Sequence, residues 1–304
     1  MTRKYVAIGC TLIGLFNFTA AQAGCSSTVC SINTNWDEHG LSRPGWNMDL
    51  LYSYSRADTL RSGSNKIAGD HEVENKMVAA ILDYTRDENW GVMLHLPFIT
   101  RSHEHNDSHD HNLGPHLGDA KVIGRYRWSL AEANHAGMGV KVGLKLNTGK
   151  KDSISTQTAT PQPGNGSTDL IMGVFWHQST PGSDWSWFAQ GTLQDSIKSG
   201  ATFTPGNQIN LDGGTRYALN SKLSGLLQLN AQWNDTDSGS SAALTPAGTA
   251  SSGGKSLAIA PGLSYAITPS TRLYGLLQLP LYQYVNGEQL TASSSFSLGL
   301  GHRF

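Results

Sequence analysis

Hydrophobic and polar residues alternate along the chain from Trp46 onward, in segments of about ten residues. One such segment carries apolar side chains at every second position: Trp46, Met48, Leu50, Tyr52 and Tyr54. A period of two predicts β-strands, because successive side chains of a strand point to opposite faces of the sheet. A soluble β-sandwich alternates in the same way, so this pattern alone does not separate a sandwich from a membrane barrel.

The lengths of the connections favour a barrel. The pattern predicts twelve strands, near residues 46–56, 72–85, 90–101, 118–129, 137–148, 167–178, 185–195, 207–219, 223–234, 256–266, 271–284 and 290–304. Five connections are short: 86–89, 130–136, 179–184, 220–222 and 267–270. They alternate with long polar connections at 57–71, 102–117, 149–166, 196–206 and 235–255, and only 285–289 is brief. Short turns at one rim and long loops at the other are typical of an outer-membrane barrel, so we predict an all-β, transmembrane antiparallel β-barrel.

Aromatic residues at strand ends support this fold class. The last predicted strand alternates up to Phe304, and a terminal aromatic residue resembles the signal that barrel-assembly machinery reads. Tryptophans lie beside the short turns, as expected of an interfacial girdle: Trp90, Trp128, Trp176, Trp185 and Trp187. Pro261 falls in a lipid-facing position of the tenth strand, where it removes a ladder donor, and we expect a bulge there.

The N-terminal region predicts export. Residues 1–23 have the features of a signal peptide: Arg3 and Lys4, an apolar stretch, and Ala21-Gln22-Ala23 as the cleavage site. Residues 24–45 would then form a periplasmic N-terminal segment, and residues 46–304 the barrel. Cys25 and Cys30 are expected to form a disulfide in an oxidising periplasm, and the alternative is a two-thiolate metal or redox site.

Composition narrows the class of protein. The formal net charge is −1, which provides no electrostatic field for nucleic acid. Charged residues make up 15% of the chain, and glycine contributes 34 residues. The charged share is below that of ordinary soluble domains, and the sequence has no apolar run long enough for a transmembrane helix.

A barrel of this size predicts a narrow interior, because it lies between small filled barrels and open porins. The polar lining on which we base a solute path is Asp49, Lys121, Arg125, Arg127, Lys141, Lys145, Asp169 and Arg216. The same face carries apolar residues: Met77, Ile81, Met93, Ile99, Phe175, Phe188 and Leu226. The charged residues either line a path or form salt bridges that plug the barrel. The apolar residues favour a hydrophobic or amphipathic small molecule, or a plug, over a wide water-filled pore.

A histidine-rich segment lies in the predicted loop 102–117. Its histidines are His103, His105, His109, His111 and His116, with Glu104, Asp107 and Asp110 among them. Imidazole and carboxylate together suit Zn(II), Cu(II) or Ni(II), so this loop is a candidate metal site, although no cofactor is required. The alternative is a solvated polar loop on which nothing packs.

Three short segments resemble a known family of barrels. Residues 118–126 begin Gly118-Asp119, residues 143–149 contain Lys145-Leu-Asn-Thr-Gly149, and residues 163–169 contain Gly-Asn-Gly-Ser-Thr-Asp169. Together they resemble the outer-membrane barrels named for the MetA pathway of phenol degradation, with Asn147 replacing a proline. The resemblance implies a transporter or channel. The cysteine pair and the histidine-rich loop depart from that family pattern and favour a metal-related role.

The leading hypothesis is an outer-membrane transporter or channel for small solutes, either an aromatic or hydrophobic compound or a metal ion. Its expected partners are outer-membrane lipid, the barrel-assembly machinery and the solute. The alternative is a plugged barrel with a metal-binding or display role. An outer-membrane lipid hydrolase is the less favoured alternative, and no enzyme activity is expected, because that chemistry needs a Ser–His pair on the lipid-facing surface oriented by a third polar group. The nearest pairings are His177 with Ser179 and His302 with Ser294.

Overall fold

The computed structural model describes residues 44–69, 72–104, 111–131, 136–149, 164–179, 182–199, 204–239 and 252–304. The strands are β1 (Gly45–Gly63), β2 (Asn65–Lys66), β3 (Glu72–Thr85), β4 (Trp90–Glu104), β5 (His111–Leu117), β6 (Lys121–Ala131), β7 (Ala136–Lys145), β8 (Thr168–Ser179), β9 (Trp185–Lys198), β10 (Gln208–Ala218), β11 (Leu223–Asn234), β12 (Gly254–Thr268) and β13 (Thr271–Arg303). Within these ranges no helix is long and apolar enough to cross a membrane.

One sheet closes on itself to form the barrel. Of the strands described, eleven form the closed wall, while β2 pairs with β1 and β5 pairs with β4 outside it. All neighbours are antiparallel, and β13 returns to β1 with Asn47 opposite Arg303. The 33-residue β13 reverses near Gly287, where φ is 57°, so its first half pairs with β12 and its second half with β1. Because β13 occupies two places, the wall has twelve strands, and the prediction of a transmembrane antiparallel barrel is confirmed.

The wall exposes apolar side chains on its outside and buries polar side chains on its inside, which is the reverse of a soluble protein. Apolar side chains on the outside are exposed, for example Val142 at 57%, Val174 at 61% and Leu263 at 57%. Polar side chains on the inside are buried, including Ser53, Asn75 and Asp169. A surface of this kind is stable in contact with lipid, and the closed ladder leaves no unpaired edge in the membrane.

Aromatic side chains encircle the short-turn end of the barrel on its outer surface. Trp46 lies 4.8 Å from Tyr84 between ring centroids, and Trp90 lies 4.7 Å from Tyr126. Further around the barrel, Trp185 packs 4.7 Å from Tyr217. Amphipathic rings favour the membrane–water interface, so this girdle marks one boundary of the lipid-facing band.

Charged side chains mark the opposite boundary. On the outer surface of β1 and β3, Arg56 lies 2.5 Å from Glu72, and Lys76 lies 2.8 Å from Glu74. Tyr54 donates a hydrogen bond to Glu74 at 2.5 Å, so the aromatic and the charged layers meet there. Because lipid tails do not accommodate such charges, the hydrocarbon layer ends below this level.

Two local expectations are corrected. Short strands β2 and β5 lie where the pattern predicted only loop, because each extends a hairpin past the membrane boundary. At Pro261 there is no bulge: the pairing of β12 with β13 stops at Ile259–Leu279 and resumes in the same register at Gly262–Leu276. Pairing with β11 is continuous through Pro261. The missing donor therefore faces β13, where it costs ladder contacts without shifting the register.

Replacing Pro261 with valine is expected to stabilise the barrel by about 1 kcal/mol, because a new amide donor completes the β12–β13 ladder. Urea unfolding of the refolded barrel in detergent, followed by tryptophan fluorescence, measures this change. Leu263→Val, two positions along the same exposed face, is the matched control. A midpoint for Pro261→Val no higher than that of the control contradicts the assignment of the missing donor.

Candidate functional site in the lumen

At the long-loop end of the lumen, one lysine lies between two aspartates. Lys145 Nζ is 3.1 Å from Asp119 Oδ2 and 3.2 Å from Asp169 Oδ2. It also donates to the backbone oxygen of Ser167 at 3.0 Å and to the side chain of Asn165. The side chains of Lys145, Asp119 and Asp169 are almost fully buried. Removing their three charges from water is costly, and these close ion pairs and hydrogen bonds offset that cost.

The same cluster fastens both ends of the loop between β7 and β8. Asp119 accepts hydrogen bonds from the amides of Gly149 at 2.9 Å and Asn165 at 3.1 Å. The two ends touch, since a Cβ on Gly149 would lie 2.5 Å from the Cα of Gly164, so only glycine fits. Thr148 adds a bond to the carbonyl of Gly118 at 3.0 Å. The three sequence segments that carry the family resemblance therefore meet at one place, which we call the motif cluster: Asp119, Lys145, Asn165, Ser167 and Asp169.

A hydrogen-bonded row of polar side chains continues inside the wall. Lys141 donates to Gln190 at 3.0 Å, and Gln190 donates to Asp212 at 2.8 Å. Asn230 donates to the other oxygen of Asp212 at 2.7 Å. Strands β7, β9, β10 and β11 thus present amide and charged groups to the interior on one side of the barrel.

An apolar band lies deeper in the lumen. We call it the collar, and its buried members are Leu51, Ala79, Ile81, Phe188, Leu226, Ala260, Tyr274 and Leu276, with Met77 and Met93 packed against them. They come from β1, β3, β4, β9, β11, β12 and β13. Because these side chains bury each other inside a closed wall, the collar fills part of the interior at this level.

Glycines on neighbouring strands make room for the largest members of the collar. A Cβ on Gly299 would lie 2.1 Å from the ring of Tyr274, and one on Gly214 would lie 2.8 Å from the ring of Phe188. The rings therefore lie flat along the wall. A side chain at either glycine would push the ring toward the barrel axis.

Arginines dominate the short-turn end of the lumen. Arg125 forms an ion pair with Asp83 and donates to Thr85 at 2.6 Å. Arg272 lies 3.5 Å from Asp49. Inward positions of the other strands at this end hold Arg127, Arg216 and Arg303.

The eight polar residues predicted to line the lumen all lie on inward-facing positions, and their part in solute passage stays a prediction. Sequence reasoning missed Asp119 as a lumen residue and missed Leu51, Tyr274 and Leu276 in the collar. The Gly118-Asp119 motif was the available signal for the first. The collar residues follow the same alternation of inward and outward positions as their neighbours, so the sequence does not mark them as a cluster.

The predicted metal and disulfide residues lie partly outside the described residues. Backbone pairing places His103 opposite His111, and His116 opposite Ile99. His105 and His109 lie outside the described residues, as do Cys25, Cys30 and the whole predicted signal peptide. In the described ranges no group of three or more His, Cys, Asp or Glu side chains forms a metal cluster.

The two candidate Ser–His pairings do not sit as a lipid hydrolase requires. His177 is buried on an inward-facing position of β8, away from the lipid surface. His302 lies on the outer surface, where its Nδ1 is 2.8 Å from the hydroxyl of Thr271 rather than close to Ser294.

No family model and no curated protein matches this sequence. The COG4313 outer membrane channel from Pseudomonas putida F1 matches in structure with a TM-score of 0.70 and 15% identity, covering 86% of this chain and 96% of that one. A KdgM porin in complex with disordered oligogalacturonate has a TM-score of 0.46 at 8% identity, covering 85% and 99% of the two chains. The NanC porin has a TM-score of 0.48 at 14% identity, covering 84% and 100%. The resemblance carried by the three sequence motifs is confirmed at the level of the fold: this chain has the closed β-barrel fold of the COG4313 outer membrane channel.

Proposed function

We propose that this chain is an outer-membrane channel that passes small solutes. The observation that carries the proposal is the lumen itself: charged and amide side chains line it at both ends, and the apolar collar lies between them. The lipid-facing band, bounded by an aromatic girdle and a charged rim, supports placement in an outer membrane with the short turns in the periplasm. The fold of the COG4313 channel is consistent with this role.

The polar row favours passage over simple bracing. Gln190 and Asn230 offer amide groups that exchange hydrogen bonds with a solute as readily as with Asp212. The facing wall presents Leu51, Ile81 and Leu276. A lumen with one polar and one apolar side suits an amphipathic small molecule, since both parts of such a solute find matching surfaces.

The collar limits what can pass. Packed apolar side chains slow the passage of hydrated ions, because stripping their water is not repaid there, while they admit apolar groups. We therefore place hydrophobic or amphipathic compounds ahead of metal ions as the transported class. A large open-pore conductance is not expected.

Single-channel recording tests the proposal. Protein lacking residues 1–23, refolded and inserted into planar bilayers, is expected to give discrete current steps of small amplitude. Heat-modifiable mobility on a gel confirms that the same preparation is folded. A folded barrel that gives no current steps and releases no solute from liposomes would show that the interior is plugged.

Metal uptake at the outer entrance is the second candidate. It is supported by the pairing of β4 with β5, which sets the backbone of His103 opposite that of His111. Adding Zn(II) or Cu(II) to the loop side is expected to change the current of the native chain. The double substitution His103→Ala and His111→Ala should abolish that response, and an unchanged response removes the histidines from the proposal.

A further inference from the structure

Five arginines lie on the inner wall at the short-turn end. Arg125 forms an ion pair with Asp83, and we call the other four the arginine group: Arg127, Arg216, Arg272 and Arg303. Each lies within a few residues of the end of its strand. Arg303 pairs in register with Asn47, and Arg216 with Ser186, so they come from separate parts of the wall. Together they surround the lumen where it opens to the periplasm.

Carboxylates are fewer than guanidinium groups on the inner wall at this short-turn end. On the inner wall of the described strands, the carboxylates at this end are Asp83, which pairs with Arg125, and Asp49, which lies 3.5 Å from Arg272. The acidic residues Asp87 and Glu88 belong to the turn after β3, beside Arg86. Backbone amides of Trp90 and Asn89 donate to Asp87 and hold the pKa of its carboxyl below its ordinary value. These turn residues contact bulk solvent, where salt screens them.

The long-loop end is more evenly balanced. Lys121 and Lys145 share this end with Asp119 and Asp169. Midway along the wall, Lys141 lies level with Arg125 and is linked through Gln190 to Asp212. Arg101 adds a further positive charge on β4. The excess of positive charge in the lumen therefore grows toward the periplasmic end.

This excess matters because the lumen is narrow. A guanidinium stays protonated at any physiological pH, and hydrogen bonds to neutral groups leave its charge in place. Field lines between low-dielectric walls concentrate that charge, which attracts anions and repels cations. Guanidinium groups also bind carboxylate and phosphate in a two-point geometry.

We infer that the channel is selective for anions, and that its solutes are small amphipathic organic anions bearing a carboxylate or phosphate group. This inference rests on the proposed channel function. The arginine group attracts the charged end of the solute, and the collar accepts its apolar part. A simple inorganic anion meets only the first of these conditions, so it passes the collar poorly.

Reversal potentials in a KCl gradient test the charge selectivity. The native chain is expected to prefer chloride over potassium by about three-fold or more. The double substitution Arg216→Gln and Arg303→Gln should bring this preference close to one. Arg86→Gln removes one positive charge from the same rim but outside the lumen, where Arg86 is largely exposed, and should leave the preference unchanged.

A matched set of probes tests the solute class: hexanoate, hexylammonium and acetate. Hexanoate is expected to reduce the chloride current most, hexylammonium least, and acetate less than hexanoate because it has no apolar part to occupy the collar. Currents that prefer potassium, or equal block by hexanoate and hexylammonium, overturn the inference while leaving the channel intact. Folded barrels that give no current and release no solute from liposomes overturn the channel function, and the inference with it.

Discussion

Replacing Lys145 with methionine is expected to destabilise the barrel by about 3 kcal/mol or more, since it leaves two buried carboxylates without a counter-ion. The lysine amine lies 3.1 Å from a carboxylate oxygen of Asp119 and 3.2 Å from one of Asp169. Loss of the amine also frees the contacts to Asn165 and Ser167 that close the base of the loop. Urea unfolding followed by tryptophan fluorescence measures the effect.

Two further variants make this result specific. Lys255→Met removes an exposed lysine from β12 and should leave the unfolding midpoint nearly unchanged. Adding Asp119→Asn and Asp169→Asn to Lys145→Met should recover much of the lost stability, because neutral amides carry no unpaired charge. If Lys145→Met unfolds at the same midpoint as Lys255→Met, the motif cluster does not stabilise the barrel.

Replacing Phe188 and Leu226 together with alanine is expected to raise the unitary conductance about two-fold, because it widens the apolar constriction that limits flow. Both side chains belong to the collar. The space left by Phe188 stays open, since the neighbouring Gly214 has no side chain to fill it. The change is read directly from current steps in planar bilayers.

The matched control changes side chains on the lipid-facing surface of the same wall. Leu227→Ala with Leu229→Ala removes similar apolar volume from the lipid-facing surface of β11, where both side chains are exposed. Its conductance should equal that of the native chain. A collar variant that conducts no better than this control would place the flow-limiting step elsewhere in the lumen.

The wall of the barrel was predictable because its signal is local. Strands β3 and β11 begin and end at the predicted residues, and inward and outward positions follow from the period of two. Pro261 shows the limit of local reasoning. A proline indicates a lost donor, but whether the register shifts depends on the two partner strands, and here it does not.

The motif cluster was not predictable, because its members come together only through register. Asp119, Lys145 and Asp169 lie on different segments, and they meet because Lys121 pairs with Lys145 and Lys145 with Asp169 across three strands. The collar has the same origin. Leu51 and Leu276 become neighbours only through the stagger of a closed sheet, which no single strand records.

The pairing of β1 with β13 also constrains how the molecule is made. It joins Asn47 to Arg303, and the hydroxyls of Ser53 and Ser297 meet at 2.7 Å across the same seam. Everything between these strands must be synthesised before either edge is covered. Until then the chain carries two open edges that invite pairing with other chains, and closure across so long a separation is slow. Pairing between copies of the chain therefore competes with closure of this seam.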